Sequence, residues 1–131
     1  MHILMCNDDG ILADGLRHLA SYLSQYYRIT VVAPANEQSA KSHALTTEVP
    51  LKLDAYNGED ENPRLYALTG TPSDCMKFGL SYLLTDDMPD LVISGINHGF
   101  NLGSDVLYSG TVSAAMESCF YGIPGLALSV E

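Results

Sequence analysis

The sequence predicts an α/β fold: a mostly parallel sheet with helices on both faces. Two observations lead there. Short apolar runs rich in β-branched residues recur at Ile3-Leu4-Met5-Cys6, Ile29-Thr30-Val31-Val32-Ala33, Leu91-Val92-Ile93-Ser94 and across 126–130. Strands that are apolar on both sides belong to buried parallel sheets. The segments between several of them carry apolar residues at helical spacing, and strand–helix alternation implies parallel strands joined by right-handed crossovers. The 131 residues suit one domain over 1–131, and 47% hydrophobic content is enough for a core.

The elements follow in order. A strand over 2–6 leads into a helix over 12–26, where Leu16, Leu19, Ala20 and Leu23 repeat at helical spacing and Asp14 is a candidate cap. The strand at 29–33 stops at Pro34, and 35–47 is a polar loop without periodicity. Two strands, 49–55 and 64–68, flank an acidic loop holding Asp54, Glu59, Asp60 and Glu61, in the manner of a hairpin. Thr71-Pro72-Ser73-Asp74 opens a helix with Thr71 at the N-cap, Pro72 at N1 and Asp74 at N3, and apolar residues continue to Leu83. After the strand at 91–94, a Gly/Asn-rich loop runs over 95–110. A helix over 111–121 ends at Gly122, and a last strand covers 126–130.

The net charge of −10 disfavours duplex nucleic acid and anionic membranes as partners. It leaves room for a small phosphorylated substrate where a cation or a helix N-terminus neutralises the phosphate. Cys6, Cys75 and Cys119 are odd in number, fit no zinc spacing and lie in apolar stretches, so buried reduced thiols are expected. No basic-then-apolar leader and no membrane-length apolar run is present, which makes the cytoplasm the default expectation.

The chemistry is concentrated in loops that follow strands. Asn7-Asp8-Asp9-Gly10 comes straight after the first strand. Neighbouring side chains on a regular strand point to opposite faces, but past the strand end Gly10 lets the backbone turn and both aspartates can address one target. Paired carboxylates are hard oxygen donors suited to Mg, Mn or Ca; the same residues also suit a turn or a helix cap. Asn97 can add a carbonyl oxygen and Ser39 a hydroxyl, although both are also ordinary loop residues. Ser109-Gly110-Thr111 enters a helix and can cradle an anion with two hydroxyls and free N–H groups, or simply cap the helix. His43 and His98 sit where a general acid would be useful, and Lys41 can meet a phosphate as a point charge. No Walker A loop and no Gly-x-Gly-x-x-Gly after the first strand is found, so a dinucleotide site of the usual kind is not expected.

These motifs together resemble SurE, the stationary-phase survival protein family of metal-dependent 5'/3'-nucleotidases and phosphatases. The likeness spans the chain: Asn7-Asp8-Asp9-Gly10 with Ala13 and Gly15; Gln38-Ser39 with Ser42-His43-Ala44-Leu45-Thr46; Gly70-Thr71-Pro72-Ser73-Asp74-Cys75; Ser94-Gly95-Ile96-Asn97 with Gly99, Asn101 and Gly103; and Tyr108-Ser109-Gly110-Thr111-Val112 with Ala114, Ala115 and Glu117. The resemblance implies a Rossmann-like core. It also implies one divalent cation, Mg, Mn or similar, held by Asp8, Asp9, Ser39 and Asn97. Asn7, Asn101, Ser109, Gly110 and Thr111 would lie at the phosphate. The implied reaction is hydrolysis of nucleoside 5'- and 3'-monophosphates, and in some members shortening of polyphosphate. Asp8 and Asp9 would be catalytic, with either water or Asp8 as nucleophile. Family members continue well beyond residue 131 into a part that holds homodimers or tetramers. A core domain lacking that part is therefore expected, and a fragment that binds metal and phospho-ligand without turnover is the alternative.

Overall fold

The computed structural model describes residues 1–38 and 44–131. The elements run β1 (His2–Cys6), α1 (Asp14–Leu23), β2 (Arg28–Pro34), β3 (Leu53–Ala55), β4 (Arg64–Leu68), α2 (Pro72–Phe78), β5 (Leu91–His98), α3 (Gly110–Cys119) and β6 (Gly125–Val130). Among the described residues the sheet has six strands in the order β3-β4-β2-β1-β5-β6. All neighbours are parallel except β3 and β4, which form the expected antiparallel excursion. No described helix is long and apolar enough to cross a membrane.

Strand alternation splits the core in two. Ile3 and Met5 of β1 join Ile29, Val31 and Ala33 of β2 beneath Leu16 and Ala20 of α1. Leu4 and Cys6 face the other way, with Val32 and Val92, onto Cys75, Met76 and Leu80 after the α2 start and Ala114 of α3. The centre of the sheet is thus buried on both faces, as its apolar strands predict. The start of α2 is fixed as read from sequence: Thr71 Oγ1 accepts from the Asp74 N–H at 3.1 Å, and Asp74 Oδ2 accepts from the Thr71 N–H at 2.9 Å. Beyond Phe78 the helix continues over Gly79–Leu83 in wider turns, with the Leu84 N–H reaching the Gly79 carbonyl at 2.9 Å.

Several expectations are corrected. β5 does not stop at Ser94 but runs to His98, because Asn97 and His98 pair with Ser129 and Val130 of β6 across an irregular register. A side chain at Gly95 would place its Cβ 2.3 Å from the Leu128 carbonyl, so the strand continues only because glycine stands there. A short 3₁₀ helix, Gly103–Tyr108, interrupts the expected loop. The strand expected over 49–55 shortens to Leu53–Ala55; Pro50 has no N–H to give a ladder. Asp14 is the first residue of α1 rather than its cap, which is Ala13, without a side-chain hydrogen bond. Cys119 is exposed at the end of α3, unlike the buried Cys6 and Cys75. Half of β6 also remains uncovered, with Leu126 and Val130 exposed at the sheet's edge.

Candidate metal and phosphate site

β1 lies where the sheet order reverses: β2 and β4 are added on one side of it, β5 and β6 on the other. The carboxyl end of such a strand opens into the crevice where α/β sheets bind ligands. There the chain closes a small loop on Asn7. Its Nδ2 donates to the Gly10 carbonyl at 2.9 Å, and its Oδ1 accepts from the Gly10 N–H at 3.1 Å. Asn7 is fully buried, with both ends of its amide spent inside the loop. The Asp8 carbonyl accepts from the Gln38 N–H at 2.7 Å, which ties this loop to the chain leaving β2.

The two aspartates occupy different surroundings. Asp8 is buried, and its Oδ1 accepts from the Thr111 hydroxyl at 2.8 Å. Asp9 is half-buried and accepts from the His98 backbone N–H. Its carboxyl is pushed above the usual 3.8, first by burial and then by the Asp8 charge, with a smaller contribution from Glu37. Two carboxylates that repel each other beside a crevice form a site that gains from a cation between them. Asn97 donates its Nδ2 to the Gly99 carbonyl at 2.8 Å, which leaves its side-chain oxygen as the available donor. Asp9, Asn97 and His98 line one cavity of about 430 Å³ with Asp14 and Ile96.

Among the described residues no three His, Cys, Asp or Glu side chains gather as a metal cluster. Asp8, Asp9 and Asn97 carry the hard oxygens that a cation would take, with solvent or substrate to complete its shell. Ser39, with Lys41 and His43, lies outside the described residues.

At the start of α3, Ser109 Oγ accepts from the Val112 N–H at 3.2 Å and so acts as the helix cap. Thr111 turns its hydroxyl to Asp8. The Thr111 hydroxyl is thus spent on Asp8, whereas Ser109 accepts through Oγ and keeps its own O–H to give. The helix start also has its first N–H groups, those of Gly110 and Thr111, which have no acceptor within the helix. Asn101 Nδ2 donates to Ser129 Oγ at 2.6 Å, and the Gly99 N–H to the Val130 carbonyl at 2.7 Å, so β6 orients the loop after β5. A further contact carries no local sequence signal. Asp74 accepts from the N–H and hydroxyl of Thr46 at 2.9 and 2.6 Å, while the Thr71 hydroxyl donates to the Ala44 carbonyl at 2.5 Å. Residues 44–46 are thereby moored to the start of α2.

A family model described as Survival protein SurE matches residues 3–131. The chain belongs to the SurE family. The 5'-nucleotidase SurE of Thermoanaerobacter sp. (strain X514) is 54% identical over 129 residues, covering 98% of this chain and 50% of the relative. That of Vibrio vulnificus (strain YJ016) is 50% identical over 130 residues, covering 99% and 49%. The chain thus spans about half the length of the curated relatives it matches. A solved SurE protein from Aquifex aeolicus superposes with a TM-score of 0.86 at 43% identity, over 98% of this chain and 50% of that one. Of the SurE motifs, that at 7–10 follows β1, that at 94–97 lies in β5, that at 108–112 enters α3 and that at 70–75 opens α2, while residues 39–43 lie outside the described residues.

Proposed function

We propose that this chain carries the site of a metal-dependent phosphomonoesterase acting on nucleoside 5'- and 3'-monophosphates, with linear polyphosphate as a further phosphoryl substrate. The observation that carries the reading is the meeting, at the carboxyl edge of the sheet, of Asp8 and Asp9 with the start of α3: a cation-seeking carboxylate pair beside an anion-seeking helix end. The name 5'-nucleotidase borne by the relatives supports the substrate class. The homodimer or tetramer expected of the family belongs to this proposal.

Asp8, Asp9 and Asn97, with Ser39, would hold one Mg, Mn or similar cation. Such an ion supplies Lewis acidity toward phosphoryl oxygens and makes water a better nucleophile near neutral pH. The Gly110 and Thr111 N–H groups would receive the equatorial phosphoryl oxygens, where charge is stabilised best by dipoles fixed in advance. The Thr111 hydroxyl occupies Asp8 Oδ1, and Asp8 is assigned as a ligand through its other oxygen. Water is then the nucleophile, arriving opposite the departing nucleoside oxygen. In a chain of net charge −10, the cation and the helix end are what make the crevice hospitable to a phosphate.

The half-length match to the relatives favours one second reading: a fragment that binds cation and nucleotide without turnover. Phosphate release from a nucleoside monophosphate with Mg²⁺ or Mn²⁺, measured beside calorimetric binding, separates the two. Turnover that Asp8→Asn abolishes supports the main reading. Undiminished turnover in purified Asp8→Asn refutes the role of Asp8, and binding without turnover in the unsubstituted chain supports the second reading.

A further inference from the structure

We infer that Thr111 is a positioning residue for Asp8: its hydroxyl selects the carboxylate oxygen that Asp8 turns toward the cation, and it does not bind the phosphate. This rests on the proposed role of Asp8 as a ligand. The Thr111 side chain is buried and turned to Asp8. A hydroxyl has one hydrogen to give, and here it goes to Asp8 Oδ1 at 2.8 Å across 103 residues of sequence. The other oxygen, Oδ2, lies against Gly110: a Cβ built there would meet it at 3.2 Å and the Asp8 Cβ at 2.9 Å. The carboxylate is therefore held on one side by a donor and on the other by close backbone. Its main chain is held separately, by the Gln38 N–H. Threonine serves better than serine here because branching at Cβ restricts its side-chain torsion and keeps the hydroxyl aimed.

Outer-shell partners of this kind change metal affinity or activity by about 10- to 100-fold when removed. The test uses the full chain and Mn²⁺ alone as probe, by titration calorimetry, alongside kcat and KM for a nucleoside monophosphate. Thr111→Val keeps the shape and removes the donor. It is expected to weaken Mn²⁺ binding by about 10-fold or more and to lower kcat, with KM for the nucleotide within about twofold. Thr111→Ser keeps the donor and is expected to restore Mn²⁺ affinity to within about threefold of the unsubstituted chain. Should the valine variant fail to fold, Thr111→Cys, a weak donor of similar size, is expected to fall between the two. Unchanged Mn²⁺ affinity in the valine or cysteine variant, or a raised KM at unchanged affinity, overturns the inference while leaving the metal site standing. Failure of the unsubstituted chain to bind Mn²⁺ at all overturns the metal site and this inference together.

Discussion

Replacing Gly110 by alanine tests the site's geometry with a single methyl group. The new Cβ would lie 2.9 Å from the Asp8 Cβ, 3.2 Å from Asp8 Oδ2 and 3.2 Å from Pro72 Cγ. Carbon atoms pack without strain at about 3.5–4.0 Å, so Asp8 and the start of α3 must part by roughly 0.6 Å. Overpacking of this kind costs about 1–3 kcal/mol, and the better helix propensity of alanine returns up to about 1 kcal/mol. A net loss of at most about 3 kcal/mol corresponds, in a chain of 131 residues, to a fall in Tm of up to roughly 10 °C. The effect on chemistry should be much larger, because misplacing a reacting group by about 1 Å can cost about 100-fold in rate. The expected result is a folded protein whose Mn²⁺-stimulated phosphate release drops by about 30- to 100-fold. Ile29→Val is the control: it trims the core at the far end of β2, costs about 0.5–1.5 kcal/mol and leaves the site alone. If Gly110→Ala turns over within about twofold of the control, Asp8 does not depend on its contact with α3 and the reasoning fails.

Two predictions concern stability. Asp74 joins α2 to residues 44–46, so Asp74→Ala should lower stability by about 2–4 kcal/mol by stranding the Thr46 and Thr71 donors; loss of less than about 0.5 kcal/mol in urea unfolding would contradict this. Burial raises the Asp74 carboxyl, but hydrogen bonds from Thr46 and Thr71 outweigh it and hold the group below 3.8. Its contribution is therefore present above that value and fades as pH falls through the lower folded-state pKa. Asp74→Asn should lose less than the wild type over that acid window. His2 is buried, with Nε2 2.9 Å from Thr30 Oγ1, and burial, then the Arg28 charge, holds its pKa below 6.5. It folds neutral, so stability is fully present above pH 6.5 and declines as pH falls toward the folded-state pKa. His2→Gln should flatten that decline, and identical slopes in the two proteins would remove His2 from the account.

Much of the fold was legible because it follows from local chemistry. The strands at β1 and β2 are continuous apolar runs, and the Thr71-Pro72-Ser73-Asp74 start of α2 is specified by residues that satisfy one another within one turn. β5 was only half legible. Gly95-Ile96-Asn97-His98 has loop composition, and it becomes strand because β6 lies alongside with a carbonyl where a side chain would otherwise stand. Asn7, Ser109 and Thr111 are read from sequence as phosphate-side residues, but sequence says nothing of which way a buried amide or hydroxyl turns. The mooring of Thr46 to Asp74 joins positions 28 apart and has no periodicity to reveal it.

By itself, then, the sequence determined the α/β class, the buried strands β1 and β2, the start of α2 and the family's motifs. These depend on side-chain volume, polarity and spacing within a few residues, and on motifs specific enough to name a family. Only the tertiary structure decided that Asn7 is turned inward to brace its loop, that Ser109 caps a helix, and that Thr111 reaches Asp8. The partners of Asn7 and Ser109 lie three residues on, in Gly10 and Val112, where sequence offers a turn or cap beside other roles, whereas the partner of Thr111 lies 103 residues away and leaves no trace in local sequence.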